Sequence, residues 1–466
     1  MEKNISVKEF LKDKNPIKVI SDLKKVLKIK PNYSNYLFLA KIYFEIKYYD
    51  QCENLLNKIV KSKEIDFEYY YIIGNLYLEK KDYFKAIRYF IKSIKLNKNF
   101  TPSWINIAFL LKESGHFIFS ERLINKILQK NKDNVRLKFN YAHVLLALKK
   151  FDEGFKFYEF RWFLKDLSSK FLLTNQSMPE YKFKKYLTPK NPSQLNGQSI
   201  IITQEGGLGD IFHFVRYLNL FPPSTKVFFA TNKNMHKILS YNQTKFQVLD
   251  IENINIDNSV KFALPLLSLP LFFKKYEFTT DFYYPYLFTN KEIDQFWMDK
   301  VNKACNNQNC KIGICNEGGN NPLIGNKLNR SIDIKYFKEI FINNNLNFFN
   351  LSLKKNFDYP FYDNKIITFS SIDSNDKFVD TASIINSMDL ILTVDTSIAH
   401  LSGALNKKTI LLLNYIAEWR WGVNSEKTHW YDNLIIVRKK KFENWKNYFT
   451  RVNKKMLEEI SCLNKN

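Results

Sequence analysis

Residues 199–217 read SIIITQEGGLGDIFHFVRY. The apolar run Ile200, Ile201 and Ile202 is followed by Gly206, Gly207 and Gly209 and then by an amphipathic segment, the order of a buried parallel strand, a tight turn and a helix. The spacing predicts a strand over 199–204 and a helix over 208–221. The same order returns at 389–405, DLILTVDTSIAHLSGAL, with a strand over 390–394 and a helix over 397–405. Further strands are expected at 226–230, 246–249 and 260–264, a helix at 291–303, and a second series of strands at 311–315, 347–353, 365–369, 409–413 and 434–437. Two series of alternating strands and helices imply two doubly wound sheets, one domain over 197–303 and one over 304–466. Ligands of such sheets bind outside the carboxyl ends of the strands, here in the cleft between the two.

The turns carry the chemistry. Gly207 and Gly209 begin a dinucleotide-binding fingerprint, but Phe212 stands where its third glycine belongs, and the next strand ends at Ala230 and Thr231 without a ribose-binding acid. Nicotinamide binding is therefore disfavoured. What remains is backbone that approaches a ligand closely and Asp210 on the first helical turn, read either as a ligand-facing carboxylate or as an acid held there by the helix dipole. In the second turn, Asp395, Thr396 and Ser397 open a helix whose free N–H groups suit a diphosphate. His400 lies one turn in, placed either to reach that ligand or to pack. With no D-x-D motif in the chain, no metal is signalled, and helix dipoles with basic residues have to neutralise a leaving group.

Ahead of these sheets the chain falls into rows of 34 residues starting at Tyr33, Phe67, Thr101 and Val135. The eighth column holds Ala40, Gly74, Ala108 and Ala142; the twentieth holds Cys52, Ala86, Ser120 and Gly154, each followed four residues later by Leu56, Phe90, Ile124 or Tyr158. Large and small residues in this alternation are similar to the tetratricopeptide pattern of stacked helix pairs. The array is expected over 1–165, with Pro16 at a helix start and Pro31 after a helix end. Its groove reads as a site for a polypeptide, or as a self-association surface. A polar segment over 166–196, with Pro179, Pro189 and Pro192, is expected as a linker.

Net charge is +25, yet only nine of the 71 basic residues are arginine, and the lysines are spread from end to end. A nucleic-acid binder gathers its basic residues on one face, so no nucleic-acid partner is expected. The scarce arginines, Arg216, Arg330 and Arg420 among them, mark positions where a fork for phosphate or carboxylate is required. Five scattered cysteines form no CxxC pair and suit a reducing compartment. The N-terminal MEKNISVKEFLKDKN has no apolar core, and the greasiest stretch, 260–273, is short and contains Lys261; no membrane span and a cytoplasmic location are expected.

Together GGLGDIFHFVRY at 206–217, LPLLSLPLF at 264–272, NRSI at 329–332, VDTSIAHLSGALNKKTILLL at 394–413, EWRW at 418–421 and FYEFRW at 157–162 resemble tetratricopeptide-repeat glycosyltransferases. Their catalytic half is similar to glycosyltransferase family 9, the heptosyltransferase-like GT-B enzymes. The resemblance implies a tetratricopeptide solenoid followed by a GT-B pair of Rossmann-like domains, an acceptor side and a nucleotide-sugar side, that move a sugar from a nucleotide donor to an acceptor without metal and with inversion. It implies Asp210 as the base and His213 beside it. Thr396, Ser397, Ile398 and His400 would contact the diphosphate in the turn opened by Asp395, with Gly207 and Gly209 lining the site. Arg330 would face the donor phosphates and Lys354 would assist. The segment 316–322, NEGGNNP, departs from the family by lacking an aromatic. Trp419, Arg420 and Trp421 read as donor-pocket or bracing residues. The combination suggests a protein acceptor held by the repeats, hence protein glycosylation, with a lipid-linked or polysaccharide acceptor left open, and a non-catalytic scaffold with a degenerate nucleotide site is the alternative.

Overall fold

Each row of the repeat opens a helix. Tyr33, Phe67, Thr101 and Val135 are the first residues of the helices Tyr33–Glu45, Phe67–Glu79, Thr101–Glu113 and Val135–Ala147, and the second helices of the rows are Tyr49–Ile59, Tyr83–Leu96, Phe117–Lys130 and Phe151–Tyr158. A further helix, Pro16–Ile29, precedes them, with Pro16 at its first position and Asn15 capping it. The structure, a computed structural model, describes residues 11, 15–164, 187–242, 245–253, 260–277, 285–305, 309–318, 330–342, 345–352, 365–374 and 376–463. The chain divides into two units, 1–137 and 138–466.

In the first unit the columns of small residues sit where helices touch. Ala40, Cys52, Ala86 and Ser120 are fully buried, and the Phe90 ring lies so close to Gly74 that an added Cβ would fall 2.5 Å from it. Side chains spaced about one row apart tie the rows together: Tyr33 donates to Asp66 at 2.9 Å and Asn106 to Asn75 at 2.7 Å. The apolar faces thus bury against neighbouring rows, as an array without a single core requires.

The second unit holds two all-parallel sheets. The first contains β1 (Ser199–Thr203), β2 (Lys226–Thr231), β3 (Gln247–Asp250) and β4 (Phe262–Pro265) in the order β3-β2-β1-β4. The second contains β5 (Lys311–Cys315), β6 (Asn347–Asn350), β7 (Ile366–Ile367), β8 (Leu390–Val394), β9 (Thr409–Leu413) and β10 (Leu434–Arg438) in the order β10-β9-β8-β5-β6-β7. The direction of winding reverses between β1 and β4 and between β5 and β8, the switch points where such sheets open a crevice. Both candidate turns leave strands at these points, β1 and β8. The helix expected over 208–221 is α-helical only over Leu208–Phe214 and continues as a 3-10 turn, Val215–Leu220. Among the described residues no helix is long and apolar enough to cross a membrane.

The division falls after Leu137, within the first helix of row four. The reason is the helix Phe151–Tyr158: Phe155 stacks on Tyr276 at 5.5 Å and meets Trp419 at 5.8 Å, and Phe151 meets Trp430 at 5.8 Å. Row four keeps the sequence pattern of the array but spends its second helix on the α/β part. Of the expected linker, residues 166–186 lie outside the described residues, while Leu187 pairs with the edge of β4 through hydrogen bonds of 2.7 and 3.0 Å.

Candidate active site

Gly206 adopts φ +77°, and a Cβ there would fall 2.4 Å from the Asp210 carboxylate; only glycine fits this bend. Asp210 Oδ2 accepts the Gly207 N–H at 2.6 Å, an acid of the first helical turn reaching back to the N-cap. Its other oxygen, Oδ1, accepts from Arg420 Nη2. Even so, 24% of the Asp210 side chain faces solvent. Asp210 therefore caps its helix, with part of its carboxylate left open to solvent.

The two turns meet. A Cβ on Gly209 would lie 3.0 Å from the His400 ring and 3.5 Å from the Ser397 backbone, so the Leu208–Phe214 helix packs on the helix Ser397–Ala404. His213 stacks on His400 with ring centres 5.1 Å apart, and His400 stacks on Trp421 at 5.0 Å. His213 is fully buried, its Nδ1 accepts the Arg420 Nε–H at 3.1 Å, and its Nε2 therefore carries the hydrogen, buried and unpartnered. His400 Nδ1 lies 2.9 Å from the Tyr431 hydroxyl. Burial first, then neighbouring positive charges including Arg420 and Arg216, hold both imidazoles well below their usual range. Both rings are buried and stacked on one another, and burial disfavours their charged form.

This has a measurable sign. A histidine that folds neutral binds its proton only when unfolded below its usual 6.5, so each removes up to about 1.4 kcal/mol of stability per pH unit as the pH falls below that value. Glu418, raised by burial to about 7 from its usual 4.5, binds a proton in the fold first and cancels about one such slope. Because burial also raises Glu205 and Asp373 and lowers His429, the effect is read by comparison: in urea unfolding followed by tryptophan fluorescence, Glu418→Gln should lose stability more steeply than the unaltered chain, by up to about 1.4 kcal/mol per pH unit, as the pH falls below about 6.5. A Glu418→Gln profile parallel to that of the unaltered chain through that window would refute the raised Glu418 carboxyl.

Of the donor-side residues, Thr396 and Ser397 are partly exposed at the helix start, Thr396 makes no side-chain capping bond, and Ile398 is buried. Asp395 is 6% exposed and its Oδ2 is buried without a hydrogen-bond partner. Arg330 joins this turn through Gly318, where a Cβ would lie 2.9 Å from Arg330 and 3.2 Å from the Asp395 carbonyl. Its segment is held to the end of β5 by Ile332 N–H to Asn316 O at 2.9 Å and Asn316 Nδ2 to Ile332 O at 3.0 Å. Lys354 and residues 319–322 of the altered loop lie outside the described residues. A cavity of about 440 Å³ lined by Lys237, Glu292, Phe296, Ser371, Asp376 and Asp380 among others includes none of the turn residues.

Sequence reasoning singled out Arg420 and Arg216 without their partners and missed Glu205. Arg420 donates to Asp210, Glu418 and His213 at once; Arg216 ties the halves together, donating to Trp430 O at 2.6 Å and the Tyr286 hydroxyl at 2.7 Å; and Glu205, next to Gly206, is paired with Arg161 of the last row. The scarcity of arginine was the one signal that pointed to them.

A helical repeat array of the tetratricopeptide kind followed by two parallel α/β sheets is the class this fold defines. The tetratricopeptide repeat family model matches residues 67–100. No curated protein matches the chain by sequence. Among solved structures, the chain is similar to MamA, at 20% identity over 35% of this chain and 98% of that one, with a TM-score of 0.30. It is similar to YrrB, described as a TPR protein with an unusual peptide-binding site, at 12% identity over 35% and 84%, with a TM-score of 0.28. It is also similar to the E. coli ADP-heptose lps heptosyltransferase II, at 10% identity over 57% of this chain and 98% of that one, with a TM-score of 0.38.

Proposed function

We propose that the chain is a glycosyltransferase of the two-domain GT-B kind, moving a sugar from a nucleotide-sugar donor to an acceptor, a polypeptide held by the repeat array, by inverting displacement without a metal. The observation that carries this reading is the meeting of two strand-turn-helix units at the switch points of two parallel sheets, with the partly exposed Asp210 on one turn and Thr396, Ser397 and Arg330 on the other. Asp210 would take the proton of the acceptor hydroxyl, and Arg330 with the N–H groups that begin the Ser397–Ala404 helix would stabilise the departing diphosphate. His213 and His400, neutral and stacked, are assigned to packing and not to proton transfer or phosphate binding. Lys354 keeps its proposed assisting place.

The scaffold reading draws on one observation: both Asp210 oxygens already hold partners. Thermal unfolding against nucleoside diphosphates and nucleotide sugars separates the two. A ligand at 100 times its Kd adds about 2.7 kcal/mol, and a selective rise lost in Arg330→Ala is expected. Asp210→Asn should then keep the rise and lose about 10²–10⁴-fold in turnover. No rise with any nucleotide would favour the scaffold, and full turnover in Asp210→Asn would overturn the base assignment.

A further inference from the structure

Arg420 stands between two carboxylates. Its Nη2 donates to Asp210 Oδ1, its Nη1 to Glu418 Oε1 at 2.8 Å and its Nε to His213 Nδ1, while Glu418 Oε2 accepts the Arg420 backbone N–H at 3.0 Å. One positive charge is shared by two anions. The guanidinium lies over Trp419 at 4.5 Å and Phe214 at 5.4 Å, and Trp419 in turn rests on Phe155 and Tyr158. The fork therefore cannot swing away without unpacking that cluster.

The two carboxylates are unequal. Asp210 is 24% exposed and Glu418 is 12%. Facing Glu418 are Arg420 from its own turn and Asp395 from the end of β8, itself near Arg438. Facing Asp210 are Arg420, whose Nε is held by His213, Tyr158 from the Phe151–Tyr158 helix and Glu205 from the end of β1. Burial raises Glu418, with Arg420 opposing and Asp395 adding to it.

We propose that Glu418 and Arg420 form a positioning clamp for Asp210: when Glu418 takes a proton, Asp210 becomes the sole anionic partner of Arg420, and when Glu418 ionises, the guanidinium charge is divided and Asp210 becomes the stronger base. The proposal rests on the transferase reading of Asp210. Its physics is the mutual effect of two like charges on one cation, each raising the proton affinity of the other. The only bond made or broken in the switch is the Glu418 O–H, its proton exchanged with water. Arg420 touches the candidate base, Glu418 touches Arg420, and both act on substrate only through Asp210.

The test follows the side-chain carboxyl carbons of the ¹³C-labelled full chain by NMR without ligand, assigned with Asp210→Asn and Glu418→Gln. The expected result is a Glu418 titration between about pH 6 and 8, with a smaller step in the Asp210 signal at the same pH. Glu418→Gln should remove both, and Arg420→Gln should move the Glu418 titration and its echo in the Asp210 signal up by more than about one pH unit. Arg420→Lys keeps the charge, loses the fork and should move them less, which covers a failure of the first variant to fold. Glu418 titrating in the ordinary carboxyl range, or an Asp210 signal indifferent to it, would overturn the clamp. In turnover of UDP-, GDP- and ADP-sugars, Glu418→Gln should cost about tenfold above pH 7 and flatten the rise through that range. The expected titration in a chain that binds none of these nucleotides would uphold the clamp and sink the transferase reading instead.

Discussion

Replacing Arg161 with leucine should cost the α/β part about 3–5 kcal/mol, the loss that follows when one member of a buried ion pair is removed. Arg161 and Glu205 are each 1% exposed. The fork is fully spent: Nε meets Glu205 Oε1 at 2.5 Å, Nη2 meets Oε2 at 3.0 Å and Ser268 Oγ at 2.8 Å, and Nη1 meets Glu159 Oε1 at 2.6 Å and Tyr158 O at 3.1 Å. Burial pushes the Glu205 carboxyl up and Arg161 opposes it; without the arginine the charge has no compensation at that depth. Arg161→Leu combined with Glu205→Leu should recover most of the loss, because apolar replacement of a whole buried pair is often neutral or better. Urea unfolding of the three variants measures this. A single-variant loss under about 1 kcal/mol, or a double variant no better than the single, would show that the pair is not the anchor its geometry suggests.

Where the chain is cut should matter more still. A chain beginning at Val135 is expected to unfold in one sharp transition, and one beginning at residue 166 to be molten or insoluble. The shorter piece lacks Phe151, Phe155 and Tyr158, which are 9%, 0% and 6% exposed, and leaves Tyr276, Trp419 and Trp430 without the rings they pack on. Truncating one buried aromatic typically costs about 3–5 kcal/mol, so losing three together with Arg161 exceeds the roughly 5–15 kcal/mol that a whole domain holds in reserve. Differential scanning calorimetry of the two pieces decides it: equal sharp transitions would refute the role given to the last row.

The expected strands over 311–315, 390–394 and 409–413 coincide with β5, β8 and β9 residue for residue. A strand buried on both faces must be an unbroken apolar run, and such runs are visible in one dimension. The rows of 34 were legible for the same reason, since each column repeats one packing contact. Row four deceived because its columns match the array while its neighbours in space do not; periodicity records what a helix can bury, not against which partner. The site was half legible. Glycines and the acid of the first turn announce themselves, but Arg420 lies 210 positions from Asp210 and Arg161 lies 44 from Glu205, and pairings at such separations leave no periodic mark. For His400 the sequence left ligand contact and packing equally open, and its stacking on His213 and Trp421 could not be read from it; the helix expected to run to 221 tightens after Phe214, where Arg216 Nε donates to the His213 carbonyl at 2.8 Å.

The placement of the last row also constrains how this architecture can change over evolutionary time. Rows that touch only their neighbours can be duplicated or lost whole without disturbing the rest, so the array is free to grow or shrink in steps of one row ahead of Val135. The interval from Phe151 to Gly206 has no such freedom at its two anchors, because Arg161 at one end must find Glu205 at the other. Gene lineages built on this plan should therefore vary in the number of leading rows while carrying the final helix, its arginine and the glycine turn as a single inherited block.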